Sequence, residues 1–380
     1  MDKEISIYIH IPFCASRCYY CDFCSTDKID NKLVQRYIDA VIKEILNNAE
    51  ILSEYKIKTI YFGGGTPSYI DEKYIAKILE VLNLFNLKEN KEITIELNPA
   101  DCKYEKLQNY VDMGINRYSL GVQSANDDIL RVIGRRHTKA TVTEAYNNMV
   151  KAGISNISVD LITGLPNDTV QEFLNTLSFI SSLGDEIKHI STYSLEVHEG
   201  TKLATLIDTG FVTLPSEDDE RKMNDLVGTT LEKKGYNMYE ISNYAKEGYE
   251  SKHNLTYWNQ EYYLGFGVSA ASYINGKRYS NINNINEYID GINNFKSVIK
   301  ESSDLDKLDT IKEYIILKLR LIKGVNIHDF YNKFKVNLLD MFGEEINDLI
   351  DKELLIKQED NIFLTHKGRD IANVVWEKFI

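Results

Sequence analysis

The chain has 380 residues, 43% of them hydrophobic and 27% charged, with a formal net charge of −13. That length allows a large core and more than one domain, in a composition ordinary for a globular protein. The acidic balance excludes a broad nucleic-acid surface, and no apolar run approaches the roughly 20 residues of a membrane-spanning helix.

The N-terminus, MDKEISIYIHIPFC, carries acidic residues early and lacks a basic region leading into an apolar stretch. No signal peptide is expected there, and the expected compartment is cytoplasmic. Isoleucines at 5, 7, 9 and 11 alternate with Ser6, Tyr8 and His10, the period of two that marks a strand. Further strands are predicted at KTIYF (58–62), EITIEL (92–97), NRYSLGVQ (116–123), NISVDLITG (156–164) and HISTYSLEV (189–197). Helical stretches lie between them: LVQRYIDAVIKEILNNAEIL, EKYIAKILEVLNLF, YEKLQNYVDMG, TVTEAYNNMVKAG and TVQEFLNTLSFISSLG. Two of these stop at Gly114 and Gly153, just before the next strand, as helix C-caps do. Such alternation implies an α/β fold with a parallel sheet and right-handed crossovers, most economically a partial (β/α)6 TIM-like barrel over 1–215.

The pattern changes near Leu214-Pro215-Ser216-Glu217, before the predicted helix DDERKMNDLVGTTLEKKG. Residues 216–300 are expected to form an irregular connecting segment whose Tyr-, Asn- and Gly-rich part, 236–282, holds short strands. From about 301 to 380 the expected order is three helices, a hairpin and a last helix from Lys367, a C-terminal helical, winged-helix-like domain. Its 12 Lys and Arg against 16 Asp and Glu argue for packing or partner docking rather than DNA binding. The patch Arg131, Arg135, Arg136 and His137 is the main basic candidate elsewhere, and it is small.

Four of the five cysteines crowd into CASRCYYCDFC (14–24). Disulfides, zinc and an iron–sulfur cluster are the available readings. A reducing cytosol disfavours the first. Structural zinc prefers four ligands in two pairs, which the C-x3-C-x2-C spacing of Cys14, Cys18 and Cys21 fits poorly. Three thiolates on a strand-end loop can hold a cubane cluster and leave one iron without a protein ligand. YFGGGTPS (61–68) follows the second strand, and its glycines allow close backbone approach to a polar ligand, though a simple turn would read the same. Glu96, Asn98, Gln123 and Asp160 stand in or at the ends of later strands, where barrel enzymes build their sites.

IHIPFCASRCYYC resembles the signature of the radical S-adenosylmethionine (radical SAM) enzymes, and YFGGGTPS resembles that family's glycine loop. The resemblance implies a [4Fe–4S] cluster on Cys14, Cys18 and Cys21, whose open iron chelates S-adenosylmethionine and cleaves it reductively to a 5′-deoxyadenosyl radical. It implies Tyr20 near the adenine. By similarity to the coproporphyrinogen-oxidase-like branch, Tyr8, Gly64, Gly65, Thr66, Glu96, Gln123, Arg135 and Asp160 would contact S-adenosylmethionine. Glu96 and Asp160 would suit the ribose and Arg135 the carboxylate. Cys24 departs from the oxidase spacing C-x3-C-x2-C-x-C by one residue and is read as non-ligating. Cys102 carries no assignment.

GINRYSLGVQSANDDILRVIGRRH, DLITGLPNDT, YEISNYAKEG and HNLTYW resemble the HemW family of haem chaperones, and the resemblance covers essentially the whole chain. It implies haem as cargo for an unidentified haem-requiring acceptor, with His253 of His253-Asn254-Leu255-Thr256-Tyr257-Trp258 as a haem ligand; a packed core histidine is the other reading. Many relatives carry a histidine where this chain has Ala271. The rival reading is an oxygen-independent coproporphyrinogen III oxidase, which the position of Cys24 and the missing N-terminal extension of such oxidases disfavour. Haem or porphyrin is thus the expected partner, nucleic acid is not, and peripheral membrane contact stays open.

Overall fold

The computed structural model describes residues 3–380; residues 1 and 2, with which the first expected domain and the acidic N-terminus begin, lie outside them. Strands β1 (Glu4–Ile11), β2 (Lys56–Gly64), β3 (Leu87–Leu97), β4 (Arg117–Gln123), β5 (Ile157–Thr163) and β6 (Ile187–Ser194) pair in chain order, all parallel. Helices cross over between them, as in Asn31–Asn47, Glu72–Leu82, Tyr104–Asp112, Lys139–Lys151 and Val170–Leu183. β1 and β6 do not pair with each other, so the barrel is open. The fold is the expected α/β one.

The four isoleucines of β1 are fully buried in one apolar core with Tyr37, Ile38 and Val41 of the first helix. The alternate residues are not left to water. Ser6 meets the Thr256 hydroxyl at 2.8 Å, Tyr8 stacks on Tyr61, and His10 reaches the Cys24 carbonyl at 2.8 Å. A barrel strand has two covered faces, and here the inner one is polar.

Residues 216–300 are more regular than expected. After the helix Glu217–Glu232, β7 (Asn237–Glu240) and β8 (Asn243–Ala245) add antiparallel to the β6 edge. The helix Lys252–Trp258 then leads to β9 (Tyr263–Phe266), which adds parallel to β1 at the opposite edge. β10 (Ala271–Ile274), β11 (Lys277–Asn281) and β12 (Ile299–Asp304) continue outward from it, giving twelve strands in one sheet. Buried residues of this stretch, from Met223 to Val298, belong to the same core as β1.

Residues 307–379 build a second core, centred on Tyr314, Phe330, Phe342 and Leu349. The helix Lys307–Leu319 leads to β13 (Val325–Asn326), the helices Ile327–Phe334 and Leu338–Asp351 follow, and β14 (Leu355–Gln358) and β15 (Asn361–Leu364) then complete a small sheet with β13 before the last short helices. The two cores are joined by backbone: Ile241 N–H donates to Arg320 O at 3.1 Å, and Ile322 N–H to Tyr239 O at 3.1 Å. Among the described residues no helix is long and apolar enough to cross a membrane.

One buried carboxylate ties the added strands to the barrel. Glu44 accepts from Gly267 N–H at 2.9 Å, Asn281 Nδ2 at 2.7 Å and the Tyr288 hydroxyl at 2.5 Å. Glu44→Ala strands three buried donors, each worth about 1–3 kcal/mol when left unpaired. We expect a loss of about 3 kcal/mol or more, read as a lower urea midpoint at unchanged slope.

Candidate functional site

The C-terminal ends of β1 and β2 meet through their backbones. Gly65 N–H donates to Ile11 O and Thr66 N–H to Phe13 O, each at 2.9 Å. A Cβ on Gly65 would stand 2.9 Å from Ile11 O and 3.0 Å from Cys14 Sγ, and Gly64 holds φ +112 against the His10 ring. The glycines are required by this approach. The loop that follows β1 is closed across its cysteine run by Cys14 N–H donating to Thr26 O at 3.0 Å, and pinned in its middle by Tyr19 N–H donating to Ile133 O at 2.9 Å.

All five cysteines are free thiols. Cys14, Cys18 and Cys21 line one cavity of ≈ 860 Å³, together with Tyr20, Gly64, Gly65 and Thr66. Glu96, Gln123, Arg135 and Asp160 line it too. The structure therefore brings eleven of the thirteen expected site residues to one surface. Tyr8 and His253 are not part of it. Among the described residues no group of three or more His, Cys, Asp and Glu side chains is gathered to hold a single metal ion. A cubane, in contrast, takes each thiolate at a different iron.

The thiols have donors aimed at them. The Thr66 hydroxyl is 3.4 Å from Cys14 Sγ, and Arg135 Nη1 is 3.4 Å from Cys18 Sγ. Burial pushes the Cys14 thiol up and raises Cys21 to about 11. Arg135 also donates to Gly121 O, while its buried Nε has no partner. Gln123, with φ +67, presents a buried Oε1 that accepts no hydrogen bond. These orphaned polar atoms sit where a polar ligand would complete them. The residues present fit a cluster and an attached polar cofactor.

Glu96 accepts from the Tyr61 hydroxyl at 2.9 Å and from Gly64 N–H at 3.2 Å, and Asp160 accepts from the Ser119 hydroxyl at 2.9 Å. Each carboxyl group keeps lone pairs for a further donor. Burial first, and the Asp160 charge second, raise Glu96 to about 7. Asp160 is raised by burial.

His253 lies in the core, 1% exposed. Its Nδ1 meets the Thr59 hydroxyl at 2.7 Å, its Nε2 meets the Tyr257 hydroxyl at 2.8 Å, and its ring stacks on Tyr61 at 4.9 Å. Burial lowers it to about 3, with Lys58 and Arg117 adding to the effect. Both ring nitrogens are engaged, so reaching a haem iron would require one bond to break. Cys24 donates to Asn283 O at 3.2 Å and lies outside the cavity wall. Cys102 is buried, donates to Asn98 O at 3.4 Å, and is pushed far up by burial.

Residues 8–180 match the radical SAM superfamily and residues 305–371 the HemN C-terminal domain. The chain is 36% identical to the haem chaperone HemW of Lactococcus lactis, over 100% of this chain and 98% of that protein. It is 37% identical to HemW of Bacillus subtilis, over 99% of both. The chain belongs to the HemW family of radical SAM proteins. A solved structure of coproporphyrinogen III oxidase (HemN) from Escherichia coli shares its fold, with a TM-score of 0.85 at 22% identity over 100% of this chain and 90% of that one.

Sequence reasoning missed several residues of this HemW-family site. Tyr61, Arg117, Ser119, Ser191 and Arg320 all line the cavity. The available signal was an arginine and two serines inside strands that otherwise read as buried.

The raised carboxyls fix a pH dependence. A glutamate held at about 7 when folded, against 4.5 ordinarily, keeps a proton that the unfolded chain has lost. That stabilisation is full below pH 4.5 and is lost as pH rises through 7. Glu44, about 7, and Asp168, about 6, act in the same direction. We expect Glu96→Gln to make the decline shallower, measured by denaturant midpoints across this range. An unchanged slope would show that Glu96 does not hold that proton.

Proposed function

We propose that this chain is a cytoplasmic radical SAM haem carrier. It holds one [4Fe–4S] cluster through Cys14, Cys18 and Cys21, binds S-adenosylmethionine beside it, and carries haem for delivery to a haem-requiring acceptor protein. The observation that carries the reading is the single cavity on which three free thiols and the polar strand-end residues converge. End-to-end similarity to two proteins named as haem chaperones supports the cargo.

When bound, the cluster supplies an electron for reductive cleavage of S-adenosylmethionine. The chain's own residues bind and orient. Thr66 and Arg135 offer hydrogen bonds to the sulfurs of Cys14 and Cys18, which stabilise their thiolate forms. Glu96 and Asp160 have acceptor capacity for the ribose hydroxyls, and Arg135 a charge for the methionine carboxylate. Gln123 Oε1 and the glycine loop are assigned to the amino end of the same ligand, and Tyr20 to the adenine. Tyr8 acts on this ligand only through Tyr61, on which it stacks at 6.1 Å. The functional division this implies is a barrel unit over 1–215, the strand-adding segment 216–300, and the helical domain 301–380.

The deciding experiment is anaerobic reconstitution of the full chain, with S-adenosylmethionine, a strong reductant and coproporphyrinogen III. We expect no decarboxylated product by mass spectrometry, and stoichiometric binding when haem is added to the same preparation; turnover to protoporphyrinogen IX would replace the carrier reading by the oxidase. Alanine at Cys14, Cys18 or Cys21 should abolish the cluster's iron and visible absorption, whereas Cys24→Ala should retain both.

His253→Ala leaves the Thr59 and Tyr257 hydroxyls unpaired, at a cost of about 1–3 kcal/mol of stability. Haem affinity of the folded fraction should change by less than about twofold, well under 1 kcal/mol. A drop of tenfold or more would assign the ring to the iron.

A further inference from the structure

The cavity is longer than the cluster and S-adenosylmethionine residues account for. Its wall continues through Tyr193, Met238, Ile241 and Tyr244 to Arg320 and Arg369 of the C-terminal domain. Arg117, the first residue of β4, also faces this cavity and is 3% exposed. Its buried Nε has no hydrogen-bond partner. Among the described residues no carboxylate pairs with it. Glu96 and Asp160 feel its charge, yet their hydrogen bonds go to Tyr61, Gly64, Ser119 and Ser191.

A cation so deeply placed, with carboxyl groups near it but none hydrogen-bonded to it, is only partly compensated, and an anionic ligand would complete it. Arg320, of the C-terminal domain, differs in having an ion-pair partner, the buried Glu240. Its guanidinium lies over Trp258 at 4.3 Å and Trp376 at 5.3 Å, and its Nε is likewise unpaired. The Glu240 pair, Nη2 to Oε2 at 3.8 Å, is an ion pair too long for a hydrogen bond, so the guanidinium keeps donors for a further acceptor. Two aromatic rings fix the plane of the fork, which suits it to bidentate capture of a carboxylate. Tyr193, Met238, Ile241 and Tyr244 offer apolar surface on this wall, among polar neighbours such as Ser191, Asn224 and Ser242.

We infer that this end of the cavity is a carboxylate subsite, in which Arg117 and Arg320 hold the propionates of a tetrapyrrole whose ring lies along that apolar surface. The inference rests on the haem-carrier reading and deepens it. The methionine carboxylate of S-adenosylmethionine has the same chemistry and is the other source to be distinguished.

The test uses the full chain with its cluster reconstituted, titrated with haem, with haem dimethyl ester and, separately, with S-adenosylmethionine. Wild type should prefer haem over the ester by about tenfold or more, as loss of charge-assisted bonds predicts. In Arg117→Gln and in Arg320→Lys, which keeps the charge beside Glu240, the preference should fall towards one. Circular dichroism separates lost recognition from lost fold. Should Arg117→Gln not fold, the wild-type preference and Arg320→Lys decide. Equal wild-type affinity for haem and ester overturns the subsite and leaves the haem carrier standing. Binding of neither overturns both. A variant that loses S-adenosylmethionine but keeps the haem preference assigns the carboxylate to that cofactor and overturns the tetrapyrrole.

Discussion

The backbone contact between the end of β1 and the Gly63–Thr66 turn is the constraint on which the site depends. It brings Thr66 to Cys14 and sets Gly64 N–H against Glu96. A side chain at either of the two middle glycines would drive the strands apart by the width of a methyl group. The cysteine loop would then lose its floor, and Glu96 its orientation. Three separate stretches of sequence are thus fixed by one close approach.

The chemistry-bearing part of the fold was legible because its signals are local. Alternation in β1, the cysteine spacing and the glycine run are each read within about ten residues, the range over which period and spacing have meaning. The middle segment was not legible for the opposite reason. β7 to β11 are three to five residues long, too short for a period of two to declare itself, and their partners lie far away in the chain. His253 shows the same limit at one residue. HNLTYW has the composition of a ligand site, but whether its imidazole faces a cavity depends on Thr59 and Tyr61, nearly two hundred positions earlier.

Polarity inside the barrel is organised by what completes it. Around His253 both ring nitrogens are engaged, by the Thr59 and Tyr257 hydroxyls, and the ring is stacked on Tyr61. Along the cavity the polar groups are not all engaged: Gln123, Arg135, Arg117 and Arg320 each keep an unpaired atom. Sites of the first kind stabilise a fold, whereas those of the second hold free energy in reserve for a ligand.

The C-terminal domain supplies part of the cavity wall, through Arg320, His366 and Arg369, while Asp225 opposite is held by His366 at 3.0 Å. On the proposed haem-carrier reading, a bulky guest seated against that wall would be released as the two domains part. Such parting belongs to the microsecond-to-millisecond range of hinge motion rather than to free diffusion. Residence time would then be governed by the hinge, so that an acceptor docking across it could set the moment of unloading without touching the guest.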